Sequence, residues 1–454
     1  MTTTARTDGS DLLAVARKVA ANAVGGEQID VTVGQHRSTT VRVHDGAVES
    51  FTSAEAVGVG VRVIVDGRQG FASAGSLADD VVGETLAEAR DNARFGEPDE
   101  FNGLADPDGV VAVEHDQWND ALLSLRPDQC IETALELERR VLASDPRIVG
   151  VRTATWSDGA GQAAYAASNG LSWLERATSC SIGVQAIARD GDHTQVGAYG
   201  DAARAVDDLD LDRVVAETAD RATRLLGATQ PRTVTLPVVL EPRLAMTLLG
   251  LVAGTLDGES VQKGRSPFAD RLGEQIASPA LDLVDDPTDR RSIAATGWDG
   301  EGLACRRNPL IRGGRLDRFL HNSYTARKGS TSSTGSAVRG SRSLPGVGPQ
   351  VLVMTPGNRT LEQIVADLDD ALFVASFSGL HSGVNTVSGD FSVGADGLRI
   401  RGGAFAEPVK EVTLASTLQR LLLGVVEVGA DLEWLVSGDG AAALLIGEVV
   451  MGGR

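Results

Sequence analysis

Two stretches of this chain carry the same signals in the same order, and that repetition narrows the folds open to it. Near the start, Leu12, Val15, Ala16 and Val19 recur at i, i+3, i+4 and i+7, the spacing of an amphipathic helix. Segments rich in Val, Ile and Thr follow around 28–35, 38–44, 47–54 and 57–65, punctuated by the turn pairs Asp45-Gly46 and Asp66-Gly67 that favour hairpins. Val82, Leu86, Ala89 and Ala93 then mark a second helix. The order returns with Ile131, Leu135 and Leu142 on a helix, strands around 148–156, 161–167, 171–178 and 180–188, and a helix through Leu211, Val214, Val215, Thr218, Ala222 and Leu225. Asp158-Gly159, Asn169-Gly170 and Asp190-Gly191 stand where turns are needed. The reading is a helix–meander–helix unit used twice; the order records either an internal duplication or the alternation that any α+β chain can show.

The chain of 454 residues is long enough for two or three domains of about 150 residues each. Its 53 glycines and 4% aromatic content favour strands and tight turns over a helical bundle. The segment from Gly96 to about Asp120, with Pro98 and Pro107 and many acids, reads as a connector, and Gly227 to Pro231 as a second boundary. Beyond it come short strands (234–240, 351–355, 372–377, 386–393, 441–450) and helices near 241–256 and 360–367. The expected fold class is α+β. An N-terminal α/β domain of two helix–meander–helix halves, about 1–96 and 121–228, spans 1–228, and a β-rich C-terminal domain spans 229–454.

Charge and cysteine usage bound the partners. Lys plus Arg number 42 against 62 Asp plus Glu, a formal charge of −20 that repels phosphate backbones, so nucleic acid is not an expected partner. Cys130, Cys180 and Cys305 are odd in number and far apart, which argues against a disulfide framework and suits a reducing compartment. The opening residues show no basic flank with an apolar core, and no run reaches 18 apolar residues. A cytoplasmic protein without a membrane partner is expected.

Motif tests are mostly negative. A zinc hydrolase usually places two His one turn apart on a helix beside a Glu; His36, His44, His115, His193, His321 and His381 include no such pair. Gly58-Val59-Gly60 runs into a strand and is no dinucleotide fingerprint. Gly379-Leu380-His381-Ser382-Gly383 holds the residue types of a serine elbow in the wrong order, with His381 and Ser382 as sequence neighbours that point apart on extended chain.

Two segments carry more. Lys328–Arg342 (KGSTSSTGSAVRGSR) is Gly/Ser/Thr-rich with three cations, either a loop over a groove or an exposed linker. Ser378–Ile400 places Gly at 379, 383, 389, 394 and 397 between strand formers, positions that either turn sheet corners or let a peptide add as a strand.

Residues 378–400 with Glu407-Pro408-Val409-Lys410 resemble the C-terminal signature of the TldD/TldE (PmbA) proteins, named both as modulators of DNA gyrase and as peptidases. So do Leu320 to Lys328 (LHNSYTARK) with the Ser-Thr-Gly stretch after it, Trp298-Asp299-Gly300-Glu301-Gly302, Val48-Glu49-Ser50 and Gly70-Phe71-Ala72-Ser73. The resemblance spans nearly the whole chain in order. It implies a two-domain fold and a cytosolic dimer of related subunits enclosing a cavity, in which a TldD-type subunit holds zinc through an H-E-x-x-x-H helix and a later cysteine and cleaves unfolded peptides. This chain departs from that pattern at each ligand: Leu240 to Met246 (LEPRLAM), where the zinc helix should open the C-terminal domain, has no His, and no cysteine follows Cys305. It resembles the TldE type.

The resemblance therefore implies a subunit with no catalytic or metal-binding residue of its own and no cofactor, paired with a zinc-bearing TldD-like catalytic subunit and acting on unfolded peptide. Candidate peptide or partner contacts are Thr325, Arg327 and Lys328, then His381, Ser382, Asn385, Ser388 and Asp390. The cations suit carboxylates and the 378–390 backbone suits an extended peptide; turn capping equally explains Asn385 and Asp390, and a structural hydrogen bond His381. The alternatives are a homodimeric hydrolase using His381 with Ser382 or Asp390, and a non-enzymatic regulator that binds gyrase or another protein.

Overall fold

The computed structural model describes residues 9–454. Helix α1 (Gly9–Ala20) buries Leu12, Ala16 and Val19. Strands β1 (Gln28–His44) and β2 (Ala47–Val65) then pair antiparallel from end to end. Asp45 and Gly46, both left-handed at φ 54° and 69°, make the tight turn between them, and Asp66-Gly67 repeats it before β3 (Arg68–Ala74). Helix α2 (Asp79–Phe95) lays Val82, Leu86, Ala89 and Ala93 on this sheet. After the connector, a short α3 (Asp120–Leu123) and α4 (Pro127–Ser144) lead into β4 (Ile148–Ala167), β5 (Ser172–Asp190), β6 (His193–Ala203) and α5 (Leu211–Thr223).

The two meanders join side by side in one six-stranded sheet, ordered β3-β2-β1-β4-β5-β6, with β1 and β4 antiparallel at its centre. Each half holds two strands of 17 to 20 residues where the sequence pattern suggests four short ones. The cause is the composition of the strand middles. Asp158-Gly159, a turn pair by sequence, lies within β4 and pairs with Thr39 and Ser38. Hydrophobic residues cluster at the two ends of the sheet instead: α1 and α2 pack with Ile29, Val31, Val33, Val59, Val61 and Val63, and α4 and α5 with Val41, Val43, Trp156, Ile182 and Val184. The polar midsection lies between these two cores. On α4 the buried face runs through Cys130, Ala134, Leu137 and Val141, one residue from the expected stripe, and Leu142 is exposed.

The C-terminal part opens with β7 (Val234–Leu240) and α6 (Pro242–Ala253). β7 lies between strand Asp370–Ser378, parallel to it, and strand Leu444–Gly452, antiparallel. Ala404–Thr417 and Asp390–Arg401 continue the sheet, and Asp390–Arg401 pairs back onto Asp370–Ser378, closing a barrel. Gly397 lies at that closure because a Cβ there would stand 2.0 Å from the Phe373 carbonyl oxygen. Leu244, Leu248, Leu249 and Val252 of α6 share one core with Val238, Phe391, Val393, Leu414 and Ile446, and each such side chain contributes about 1.5–3 kcal/mol by burial. Among the described residues no helix is long and apolar enough to cross a membrane.

The 328–342 segment is tied down along its length. Thr334 Oγ1 donates to the His321 carbonyl at 3.1 Å, Ala337 N to Asp299 Oδ2 at 3.2 Å, and Arg339 Nη1 to Asp30 Oδ1 at 2.6 Å. Gly60 marks where this segment crosses the first sheet: a Cβ there would meet the Ser341 carbonyl oxygen at 2.3 Å.

Candidate functional site

The polar midsection of the first sheet is the floor of the main cavity, about 1710 Å³. Gly34–His36 of β1, Ala56–Gly58 of β2, Gly161–Ala163 of β4 and Trp173–Ala177 of β5 form that floor. The connector at 110–118 forms one wall, residues 290–298 of the C-terminal part another, and Ser341-Arg342 reach its mouth. The connector holds its course because Thr178 N donates to the Gln117 carbonyl at 2.9 Å, Asn119 N to Thr178 Oγ1 at 2.9 Å, and Gln117 Nε2 to the Ala295 carbonyl at 2.5 Å. From β5, Glu175 accepts from Thr296 Oγ1 and Gly297 N, both at 2.7 Å, which ties the opposite wall to the floor.

The lining is more basic than the chain as a whole. Arg204 Nη2 donates to the carbonyls of Ile293 at 2.9 Å and Ser292 at 3.2 Å, while its Nη1 is buried without a partner. No carboxylate sits beside it, and burial pulls the guanidinium below its usual range. His115 Nε2 is likewise buried and unpartnered; burial, then Arg290 and Arg204, hold the imidazole below its ordinary value. Arg176 lies 5.1 Å over the Trp118 ring, and Trp173 and Trp298 add apolar surface.

Residues singled out by sequence fall in two other places. Thr325 is buried in the short helix Ser323–Lys328, its N–H and Oγ1 donating to the Asn322 cap at 2.8 and 3.0 Å, with Oγ1 3.2 Å from His321 Nδ1. Arg327 gives Nε, Nη2 and Nη1 to the carbonyls of Phe101, Gly103 and Leu104 at 2.8, 2.8 and 3.0 Å, and Lys328 lies 5.6 Å over the Tyr324 ring. This cluster clamps the connector to the C-terminal part. The other group is an exposed turn at the barrel: Asn385 Oδ1 accepts from Val387 N and Ser388 N at 2.9 and 3.3 Å, and Ser388 Oγ donates to Asp390 Oδ2 at 2.6 Å. His381 bonds neither Ser382, whose Oγ donates to the Gly379 carbonyl at 3.3 Å, nor Asp390. None of the eight lines the main cavity. The cavity's own residues come from several distant segments; of these Trp298, Ser341-Arg342 of the Gly/Ser/Thr-rich segment and the connector at 110–118 carried a sequence signal.

At the opening of α6, Glu241 is buried and encircled by guanidiniums: Arg221 Nη1 at 2.8 Å, Arg243 Nη2 at 3.1 Å and Arg224 Nη2 at 3.2 Å. Among the described residues no three His, Cys, Asp or Glu side chains converge as metal ligands. All three thiols are buried, and burial pushes Cys130 up to about 11, Cys180 up to about 12 and Cys305 higher still. Among the described residues the donor set of a zinc peptidase is not assembled.

Three family models match in sequence order: PmbA/TldA metallopeptidase domain 1 over residues 29–93, the central domain over 120–226 and the C-terminal domain over 233–453. The chain is also 30% identical over 410 residues to Metalloprotease PmbA of Escherichia coli O157:H7, covering 89% of this chain and 88% of that protein. The chain belongs to the PmbA/TldA metallopeptidase family. Two solved structures superpose on nearly the whole chain. A putative modulator of DNA gyrase from Bacteroides thetaiotaomicron superposes with TM-score 0.89 at 25% identity, covering 99% of this chain and 100% of that one. TldE from Thermococcus kodakarensis superposes at 0.87 with 22% identity, over 98% and 99%, a likeness of fold.

Proposed function

We propose that this chain is a non-catalytic, TldE-type subunit of a cytoplasmic zinc metallopeptidase complex that degrades or processes unfolded peptides. The observation that carries the reading is the missing donor set within a metallopeptidase fold: Glu241 at the head of α6 is neutralised by three arginines, and no imidazole or thiolate stands with it. Without such ligands nothing here lowers the pKa of a bound water or polarises an amide carbonyl, so the zinc and the hydrolytic step belong to a TldD-like partner. In this reading the exposed residues His381, Ser382, Asn385, Ser388 and Asp390 contact peptide or partner. Arg327 holds the connector in place behind the chamber wall, and Thr325 and Lys328 flank it on the same short helix.

Metal analysis and a peptidase assay on the purified chain, alone and after mixing with a TldD-type protein, test the proposal. The expected result is sub-stoichiometric zinc and no cleavage alone, then a heterodimer with activity. About one zinc per lone chain, or cleavage by the lone chain, would overturn it.

A further inference from the structure

We infer that the main cavity is a carboxylate-binding site that seats an acidic, extended peptide, with Arg204 and His115 as its anchor. This deepens the peptide reading above and rests on it. The argument starts from unspent hydrogen-bond donors. Arg204 spends Nη2 on two carbonyls and leaves Nη1 buried with no acceptor, and it forms no salt bridge with any described residue. A buried guanidinium without a counter-charge costs free energy that an incoming anion recovers. His115 Nε2 is unsatisfied on the same cavity, and Arg290, an exposed cation, gives only Nη2 to the Glu114 carbonyl at 3.3 Å. The acids nearby do not fill the need: Glu175 is taken by Thr296 and Gly297, and Glu114 and Asp116 are exposed and ion-pair with neither Arg204 nor Arg290.

The shape and remaining lining select the ligand. At about 1710 Å³ the cavity exceeds the 300–1,000 Å³ or so typical of a small-molecule site. Trp118, Trp173, Trp298 and Val111 offer apolar surface suited to side chains rather than to a hydrated dianion. Arg204 and His115 line the same cavity, each with an unpartnered nitrogen, and together can serve the two oxygens of one carboxylate.

Fluorescence anisotropy of a fluorescein-labelled, Glu-rich peptide with the full chain tests this, beside a peptide with each Glu replaced by Gln. The expected result is at least tenfold weaker binding of the Gln peptide, and a similar tenfold loss for the Glu peptide with Arg204→Gln at unchanged melting temperature. If Arg204→Gln fails to fold, Arg290→Gln on the exposed rim is expected to weaken the Glu peptide several-fold while leaving the Gln peptide unaffected. Equal binding of the two peptides, wild-type affinity in the folded variants, or displacement by inorganic phosphate but not by glutarate would overturn the inference. The zinc and heterodimer assays are separate measurements: heterodimer formation with no preference for the Glu peptide sinks the inference alone, and zinc in the lone chain sinks the subunit reading alone.

Discussion

Arg339 and Asp30, 309 residues apart in sequence, meet across the two parts of the molecule at 2.6 Å, Nη1 to Oδ1. The other carboxylate oxygen accepts Arg62 Nε at 2.9 Å, and all three side chains are buried. Burial alone would raise the Asp30 carboxyl; the Arg339 and Arg62 guanidiniums overcome it and hold it below the ordinary carboxylate range. Replacing Asp30 by Asn leaves the buried Arg339 without its carboxylate and Arg62 with only Glu301, 3.9 Å away, and the expected cost is about 3–5 kcal/mol, read as a lowered urea midpoint. Because the folded value is depressed, this contribution is present above the unfolded carboxylate range and is lost as pH falls through the folded value. A variant as stable as the parent at pH 7 would contradict the assignment.

Asp285 titrates in the opposite sense. Its Oδ1 accepts Gln350 N and Val351 N at 2.8 and 2.9 Å, its Oδ2 is buried without a partner, and burial pushes its carboxyl up to about 7. The folded state holds this proton more tightly than the unfolded chain, so the contribution is most favourable at low pH and declines as pH rises from about 4 to about 7. Asp285→Asn cannot titrate. The difference in melting temperature, variant minus parent, is expected to grow by several degrees between pH 5 and pH 8; a difference independent of pH would count against it.

Two glycines should respond oppositely to alanine. Gly397→Ala drives a methyl group against the Phe373 carbonyl where the barrel closes, and the expected loss is about 3 kcal/mol or more in chemical denaturation. Gly250 lies inside α6 with open space around its Cβ direction, so Gly250→Ala is expected to stabilise by roughly 0.5–1 kcal/mol. The same sign for both would refute the packing argument.

The thiols give a probe of the fold itself. With Cys130, Cys180 and Cys305 buried and their thiols pushed up by burial, a thiol reagent at pH 8 should titrate none in the native chain and three after denaturation. Rapid reaction of a native thiol would place at least one of them in solvent.

The helices of the first sheet were legible because Leu12, Ala16 and Val19, or Val82, Leu86, Ala89 and Ala93, face a core and keep the helical period. The long strands were not, since residues such as His36, Gly161 and Gln162 interrupt the hydrophobic pattern where the sheet leaves its helices and becomes a cavity floor. That interruption, read as a break, was the trace of the site. Arg204 and His115 left no trace of their own: their meaning lies in the lack of a partner, which only the packed chain reveals. Resemblance located 320–328 and 378–400, whereas the cavity is assembled from segments with no shared local pattern.

The placing of strand Leu444–Gly452 beside β7 has a kinetic consequence. β7 emerges from the ribosome some two hundred residues before the neighbour that covers its edge, so the barrel cannot close until synthesis has passed residue 444. Meanwhile the first sheet, whose pairings lie wholly within residues 28–203, can already be assembled and serve as the platform on which the late-forming half settles. Nascent chains stalled before that final strand should therefore show a protease-resistant amino-terminal fragment and a carboxy-terminal remainder that chaperones still grip.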